Sequence, residues 1–99
     1  MLAKIYVPTE NEKILRDLAE RFSKYFGGCT IIPNCKGFWI NGENKLIEDK
    51  ITIIESYFEN SAITEDQAKV FLVNTADFIK RRLKQDSVAF VLDNSIYFL

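Results

Sequence analysis

The chain contains no histidine among its 99 residues. This absence removes the most versatile general base near neutral pH and the commonest metal ligand in proteins. It therefore excludes Ser-His-Asp and Cys-His catalysis and any metal site built on histidine. An enzyme with this sequence would have to use carboxylates, lysine, cysteine or tyrosine.

An excess of charge of one sign is also missing, because 13 lysines and arginines balance 14 acidic residues and leave a net charge of −1. A balanced charge gives no general attraction to phosphate backbones, so nucleic-acid binding is disfavoured. No apolar run approaches the roughly 18 residues of a membrane span. The short apolar start is unlike a signal peptide. These absences predict a cytoplasmic protein with reduced thiols.

The rarer residue types are concentrated in residues 27–42, which hold all four glycines, both cysteines and the only tryptophan. This stretch interrupts an otherwise regular pattern, so we expect a site within it. Cys29 and Cys35 match neither a Cys-x-x-Cys motif nor a four-ligand zinc set. Free thiols are therefore expected, and the sequence predicts no metal and no other cofactor.

The composition, 47% hydrophobic and 27% charged, is that of one ordinary globular domain covering residues 1–99. Residues 2–7 predict a strand. Thr9 and Glu12 fit a capping box, and apolar residues then recur at helical spacing. The helix should stop at Gly27-Gly28, because glycine adopts the left-handed conformation without steric cost.

The second half of the chain continues this alternation of strands and helices. Residues 29–40 predict a strand bent at Pro33-Asn34, followed by a turn at Asn41-Gly42 and a returning strand over residues 45–58. A second capping box, from Thr64 to Gln67, begins another helix. A last hairpin is expected around Asp93-Asn94. On the returning strand, the face predicted to meet the core carries Ile47, Ile51, Ile53 and Tyr57.

The resulting order predicts an α+β fold, a ferredoxin-like βαββαβ sandwich with two helices on one face of an antiparallel sheet. The final residues allow one extra C-terminal strand. The uncovered face is expected to be too apolar to stay in water. It should therefore mediate homo-oligomer formation, as a dimer or trimer. The residues expected on that face are Lys4, Tyr6, Lys50, Thr52, Ile54, Phe58, Val88, Phe90 and Leu92.

One motif extends this interpretation. Gly28 and Thr30, followed by Lys36-Gly37-Phe38, resemble the PII-like signalling superfamily. Members of that superfamily share the βαββαβ order, form trimers and bind nucleotide phosphates between subunits through such a segment. The resemblance implies a nucleotide or another small anion at a subunit interface. The basic run at residues 80–84 replaces the family's glycine-rich phosphate loop. The candidate ligand-binding residues are Thr30, Lys36, Gly37, Phe38, Trp39, Arg81 and Arg82.

The favoured function is thus that of a non-catalytic, small oligomeric binding or regulatory protein, with its site near residues 33–39. One alternative is an RNA-binding domain that stacks bases on Tyr6 and Phe38. Another is a small enzyme with an inter-subunit site, where Lys36, Tyr6 or a carboxylate would act. Metal binding by carboxylates of the 43–55 hairpin is a less favoured alternative, because strand alternation places Glu48 and Asp49 on opposite faces.

Overall fold

Two helices and five strands follow one another as β-α-β-β-α-β-β in the computed structural model, which describes all 99 residues. All strand pairs are antiparallel, and the sheet order is β2-β3-β1-β4-β5. The predicted ferredoxin-like α+β fold is confirmed, with β5 as the extra C-terminal strand. The elements are β1 (Leu2–Val7), α1 (Glu12–Phe26), β2 (Thr30–Ile40), β3 (Leu46–Tyr57), α2 (Glu65–Leu83), β4 (Ala89–Leu92) and β5 (Ser95–Phe98).

Side-chain caps and left-handed residues set the helix ends. The capping box of Thr64 and Gln67 begins α2 as predicted, and Gly27, with φ of 97°, ends α1. The prediction for the start of α1 is wrong by two residues. Its cap is Asn11, whose side chain accepts a hydrogen bond from the Ile14 amide at 3.1 Å. No helix combines the length and the apolar character that crossing a membrane requires.

The core lies between the two helices and one face of the sheet. Ala3, Ile5 and Val7 of β1 are fully buried there. The register pairs Ile5 with Ile54 of β3 and with Phe90 of β4, so these side chains also face the helices. The helices contribute the stripes predicted from their spacing, with Leu18 and Phe22 buried on α1, and Leu72, Ala76 and Ile79 buried on α2.

The predicted core face of β3 is wrong. Thr52, Ile54 and Ser56 face the helices. The two hydroxyl groups are tolerated in the core because Thr52 Oγ1 donates to the Thr9 carbonyl at 2.9 Å and Ser56 Oγ donates to the Gly28 carbonyl at 2.6 Å. The prediction for the uncovered face fails for the same strand and for β4. Its members Thr52, Ile54, Phe58, Val88, Phe90 and Leu92 are all buried, and Lys50 also lies on the helix side.

The uncovered side of the sheet, which we call the open face, is nevertheless apolar. Lys4 and Tyr6 lie on it as predicted, and the side chains that alternate with the core residues fill the remainder. Trp39, Tyr57, Ile96 and Phe98 are each at least half exposed. The large apolar residues of this face are Tyr6, Ile32, Trp39, Ile47, Ile51, Ile53, Tyr57, Val91, Ile96 and Phe98.

The hairpin of β2 and β3 extends beyond the rest of the sheet. The last β1 residue, Val7, pairs with Thr52, so residues 35–51 form a two-stranded projection, called the arm below. A bulge between Ile32 and Cys35 marks its base, at the predicted bend. Its tip is the predicted turn, although Asn44, and not Asn41 or Gly42, adopts positive φ. The arm makes the molecule long, at 46 × 27 × 21 Å.

Candidate functional site

The seven residues predicted to bind a ligand do not meet within one chain. Thr30 begins β2 on the open face, whereas the other four candidates of this strand lie on the arm. Strand alternation then divides those four. Gly37 and Trp39 point to the open side of the arm, and Lys36 and Phe38 point to its helix side. At about 3.3 Å per residue, roughly 25 Å of strand separates Thr30 from Trp39.

The arm residues are held by short-range contacts. Trp39 Nε1 donates to Asp49 Oδ2 at 2.9 Å, which fixes the indole on the open side. Lys36 Nζ lies 3.6 Å from Glu48 Oε1 on the opposite side, with its side chain 72% exposed. A Cβ at Gly37 would lie 3.0 Å from the Ile51 side chain, so glycine allows the two strands' side chains to pack closely there. The arm therefore presents two chemically different sides.

Arg81 and Arg82 lie on the last turns of α2, at the end of the molecule away from Thr30. Arg81 pairs with Asp77 at 2.9 Å and is 80% exposed. The two arginines line a shallow hollow with Asn74, Asp77 and Phe78. Because one of the two is already neutralised by Asp77, the hollow has little net charge to attract an anion.

The structure brings together a different set around Thr30. A single row across the open face runs Thr30, Glu55, Lys4, Val91 and Ile96, each directly opposite the next on the neighbouring strand. Its first three members are polar, on a face whose only other charged residue is Asp49. The row thus places a hydroxyl, a carboxylate and an ammonium group side by side on β2, β3 and β1.

A surface hollow of about 320 Å³ opens beside this row. Gly27 and Gly28, after the end of α1, form one wall, and the hydrogen bond from Ser56 to the Gly28 carbonyl holds that wall against β3. Glu55 is the only charged side chain that lines the hollow. Tyr57 is 74% exposed at its rim. The lining residues are Phe26, Gly27, Gly28, Cys29, Thr30, Glu55, Ser56 and Tyr57.

Of this set, the sequence analysis identified Thr30 but missed Lys4, Glu55 and Tyr57. The available signal was the Gly27-Gly28 helix stop, which places Thr30 at the start of a strand. The positions of Glu55 and Lys4 depend on the register with which β3 and β1 pair, and that register is a long-range property of the fold.

The structure also shows where the side chains of the RNA-binding and metal-binding alternatives lie. Tyr6 lies on the open face and Phe38 on the helix side, so the two aromatic rings of the RNA-binding alternative do not share a surface. Glu48 and Asp49 point to opposite sides, as predicted, and no group of three carboxylates or thiols is placed to hold a metal ion. Cys29 and Cys35 are free thiols, and Cys29 contacts the Ala19 carbonyl at 3.6 Å.

Comparison with known proteins gives a likeness of fold. The chain matches no model of a protein family and no curated protein. Among solved structures it is similar to a phage SAM lyase in complex with S-methyl-5′-thioadenosine, with a TM-score of 0.69 and 12% sequence identity. The match covers 99% of this chain and 87% of the lyase chain. The fold of this chain is therefore shared with most of the lyase chain.

Proposed function

We propose that this chain is a small-molecule-binding protein whose ligand is a nucleoside of the adenosine type, held at the hollow beside Thr30 and Glu55. The observation that carries the proposal is the polar row on the apolar open face, immediately next to a hollow that holds one carboxylate. Ligand sites are typically apolar surfaces with a few convergent polar groups, and this part of the molecule has that composition.

The chemistry of the row suits a ribose. A carboxylate accepts hydrogen bonds only, so Glu55 can accept from the two neighbouring hydroxyl groups of a ribose. Thr30, directly opposite Glu55, can donate to or accept from the same ligand. Tyr57, exposed at the rim, offers an aromatic surface on which a purine can stack.

Charge favours a ligand without phosphate. The hollow contains one carboxylate and no cation among its lining residues. Lys36, the cation that the PII-like resemblance assigns to phosphate, lies on the other side of the sheet beside Glu48. S-methyl-5′-thioadenosine, the ligand in the phage SAM lyase structure, is an adenosine derivative that carries no phosphate. We therefore propose a neutral or cationic adenosine derivative in place of the nucleotide expected from the sequence.

A second copy of the chain, in a dimer or trimer, completes the site in this proposal. The hollow is open to solvent, and a contiguous exposed apolar face such as the open face beside it is typical of an interface. Gly37 and Trp39 lie on the open side of the arm, too far from Thr30 to act in the same chain. Supplied by a neighbouring copy, the Trp39 indole would cover the ligand that Glu55 binds.

Isothermal titration with S-methyl-5′-thioadenosine, adenosine and ATP tests the proposal. We expect the first two to bind more tightly than ATP. A Glu55→Gln substitution should weaken binding about 10- to 100-fold, because a hydrogen bond to a charged group contributes about 1.5–3 kcal/mol. Glu59→Gln, in the exposed loop after β3, is the matched control and should bind as the wild type does. Equal affinity of Glu55→Gln and wild type would contradict the site.

Mixed assemblies test the inter-subunit site. Glu55→Gln and Trp39→Ala should each weaken binding at every site when present alone. After the two variants are unfolded and refolded together, about a quarter of the sites should combine an intact Glu55 with an intact Trp39 and bind normally. Absence of any recovered binding in the mixture would place Trp39 outside the site.

A second candidate function is cleavage of SAM, and the observation that favours it is that the structural neighbour is a lyase. The groups available here are Glu55, Tyr6 and Lys4 on the open face. Incubation of the protein with SAM, followed by mass spectrometry, tests this candidate. Loss of SAM that depends on Glu55 would make the protein an enzyme. If SAM stays unchanged at high protein concentration, ligand binding remains the only proposed function.

A further inference from the structure

The open face carries three charged side chains, Lys4, Asp49 and Glu55, and none of them has an ion-pair partner in its own chain. Six ion pairs occur within 4.0 Å, and neither Lys4 nor Asp49 takes part in any of them. The lysines that do have partners are 72–79% exposed, whereas Lys4 is half-buried, with Glu55 opposite it on β3 and Val91 opposite it on β4. Asp49 is also half-buried, and its Oδ2 atom accepts from Trp39.

Lys4 and Asp49 cannot meet within one chain. Lys4 lies in the row of Glu55, and Asp49 lies six residues further along β3. Six residues of strand span roughly 20 Å, well beyond the reach of a lysine side chain. Lys4 does lie directly opposite Glu55, but no oxygen of that carboxylate is within 4.0 Å of its ammonium nitrogen.

The open side of β3 has the same order of residue types from either end. It presents an apolar residue, an acid and an apolar residue in the arm, as Ile47, Asp49 and Ile51. It then presents an apolar residue, an acid and an aromatic residue in the body, as Ile53, Glu55 and Tyr57. If two copies stack open face to open face with their strands in opposite directions, apolar side chains of β3 meet apolar side chains. Asp49 of one copy then lies over Glu55 of the other, and Lys4, beside Glu55 on β1, is the cation that neutralises the approaching carboxylate.

We propose that Lys4 of one copy forms an ion pair with Asp49 of a second copy and that this pair fixes the register of the interface. The inference rests on the self-association included in the proposed function. A charged pair inside an apolar interface acts mainly on register, because a shifted arrangement leaves the Asp49 carboxylate buried without a cation. Gly37, opposite Asp49 on β2, has no side chain to block the approach of the other copy.

The surface area of the chain is consistent with a second copy as the occupant. A monomer of 11.5 kDa is expected to expose about 5,800 Å², whereas this chain exposes 6432 Å². The excess of about 600 Å² is a large part of the roughly 800 Å² that each partner contributes to a stable interface. Five of the exposed large apolar residues lie on the open face, and these are Ile32, Trp39, Tyr57, Ile96 and Phe98.

Charge exchange tests the pair, with sedimentation equilibrium as the measurement. Lys4→Glu and Asp49→Lys should each weaken self-association by about 30-fold or more. The double variant, Lys4→Glu with Asp49→Lys, should recover most of the loss. Lys4→Glu alone and the double variant carry the same change beside Glu55, so any effect of that change inside the chain cancels when these two are compared. Lys13→Glu, on the outer side of α1, is the control and should associate normally.

Mixing the two single variants gives a second readout, since each supplies the charge that the other lacks. We expect the mixture to associate more strongly than either variant alone. A double variant as weak as Lys4→Glu, or single variants that associate like the wild type, would overturn the ion pair. In that case a wild type that still associates and binds S-methyl-5′-thioadenosine would leave the proposed function intact. A wild type that is monomeric at all concentrations would overturn both the pair and the inter-subunit site.

Discussion

The two hydroxyl groups buried on β3 tie both ends of α1 to the sheet, and removing them should have a measurable effect on stability. Thr52 donates to the carbonyl of Thr9, before α1, and Ser56 donates to the carbonyl of Gly28, after it. Both side chains are at most 2% exposed. Thr52→Val and Ser56→Ala each remove one donor and leave a carbonyl group without its partner.

The size of the effect follows from the hydrogen bonds. A lost hydrogen bond whose acceptor stays partly buried lowers the free energy of unfolding by about 1–2 kcal/mol. The two hydroxyl groups lie four residues apart on β3, roughly 13 Å, and they share no hydrogen-bond partner. Their effects should therefore add, and the double variant should lose about 2–4 kcal/mol. For a domain of this size, each kcal/mol lowers Tm by about 4–8 °C.

Urea unfolding followed by circular dichroism measures these differences, and the exposed changes Thr30→Val and Ser61→Ala serve as controls. The controls should stay within about 0.5 kcal/mol of the wild type. If Thr52→Val and Ser56→Ala changed the free energy of unfolding as little as the controls do, Thr52 and Ser56 would not be core residues. The assignment of the β3 faces, and with it the position of Glu55 on the open face, would then be wrong.

Two further outcomes test local features of α1. Gly27→Ala should lower the free energy of unfolding by about 1–2 kcal/mol, because φ of 97° is strained for alanine. Gly28 has no positive φ, so Gly28→Ala should change the free energy of unfolding little in the same urea assay. Equal effects of the two substitutions would contradict the left-handed cap. The hydrogen bond from Lys24, 2.8 Å from Glu20, lowers the pKa of Glu20 and raises that of Lys24. The pair should stabilise the helix fully between the ordinary pKa values of the two groups. This contribution should disappear as pH falls through the lowered pKa of Glu20 or rises through the raised pKa of Lys24. In Lys24→Gln, the pKa of Glu20 measured by NMR should be higher than in the wild type, and an unchanged pKa would contradict the pair.

Local patterns were sufficient to predict the order of elements. The spacing of apolar residues on α1 and α2, the Thr64 capping box and the Gly27 stop act over a few residues, and each is present in the structure. The ferredoxin-like arrangement follows from that order, because it lets both apolar helix stripes cover one sheet face.

The faces of β3 could not be predicted from local patterns, because both of its sides are rich in apolar residues. Thr52 and Ser56 lowered the apparent hydrophobicity of the side that is buried. Their partners, the carbonyls of Thr9 and Gly28, lie 43 and 28 residues away along the chain. The candidate site could not be predicted from local sequence either. Residues 36–39 are adjacent in sequence, but they alternate between the two sides of the arm and so do not form one site.

The two outer strands of the sheet also bear on how the protein avoids fibre formation. Edge strands offer unpaired backbone groups on which further chains can add. β5, at one edge, is only four residues long, and β2, at the other, has eleven. Pro33 lacks an amide hydrogen and Asn34 has φ of 60°, so the bulge divides the long edge into two short segments. Deletion of Pro33 and Asn34 would leave one continuous nine-residue edge strand, in which Lys36 is the only charge and six residues are Thr, Ile, Phe or Trp, and such an edge is a template for cross-β growth.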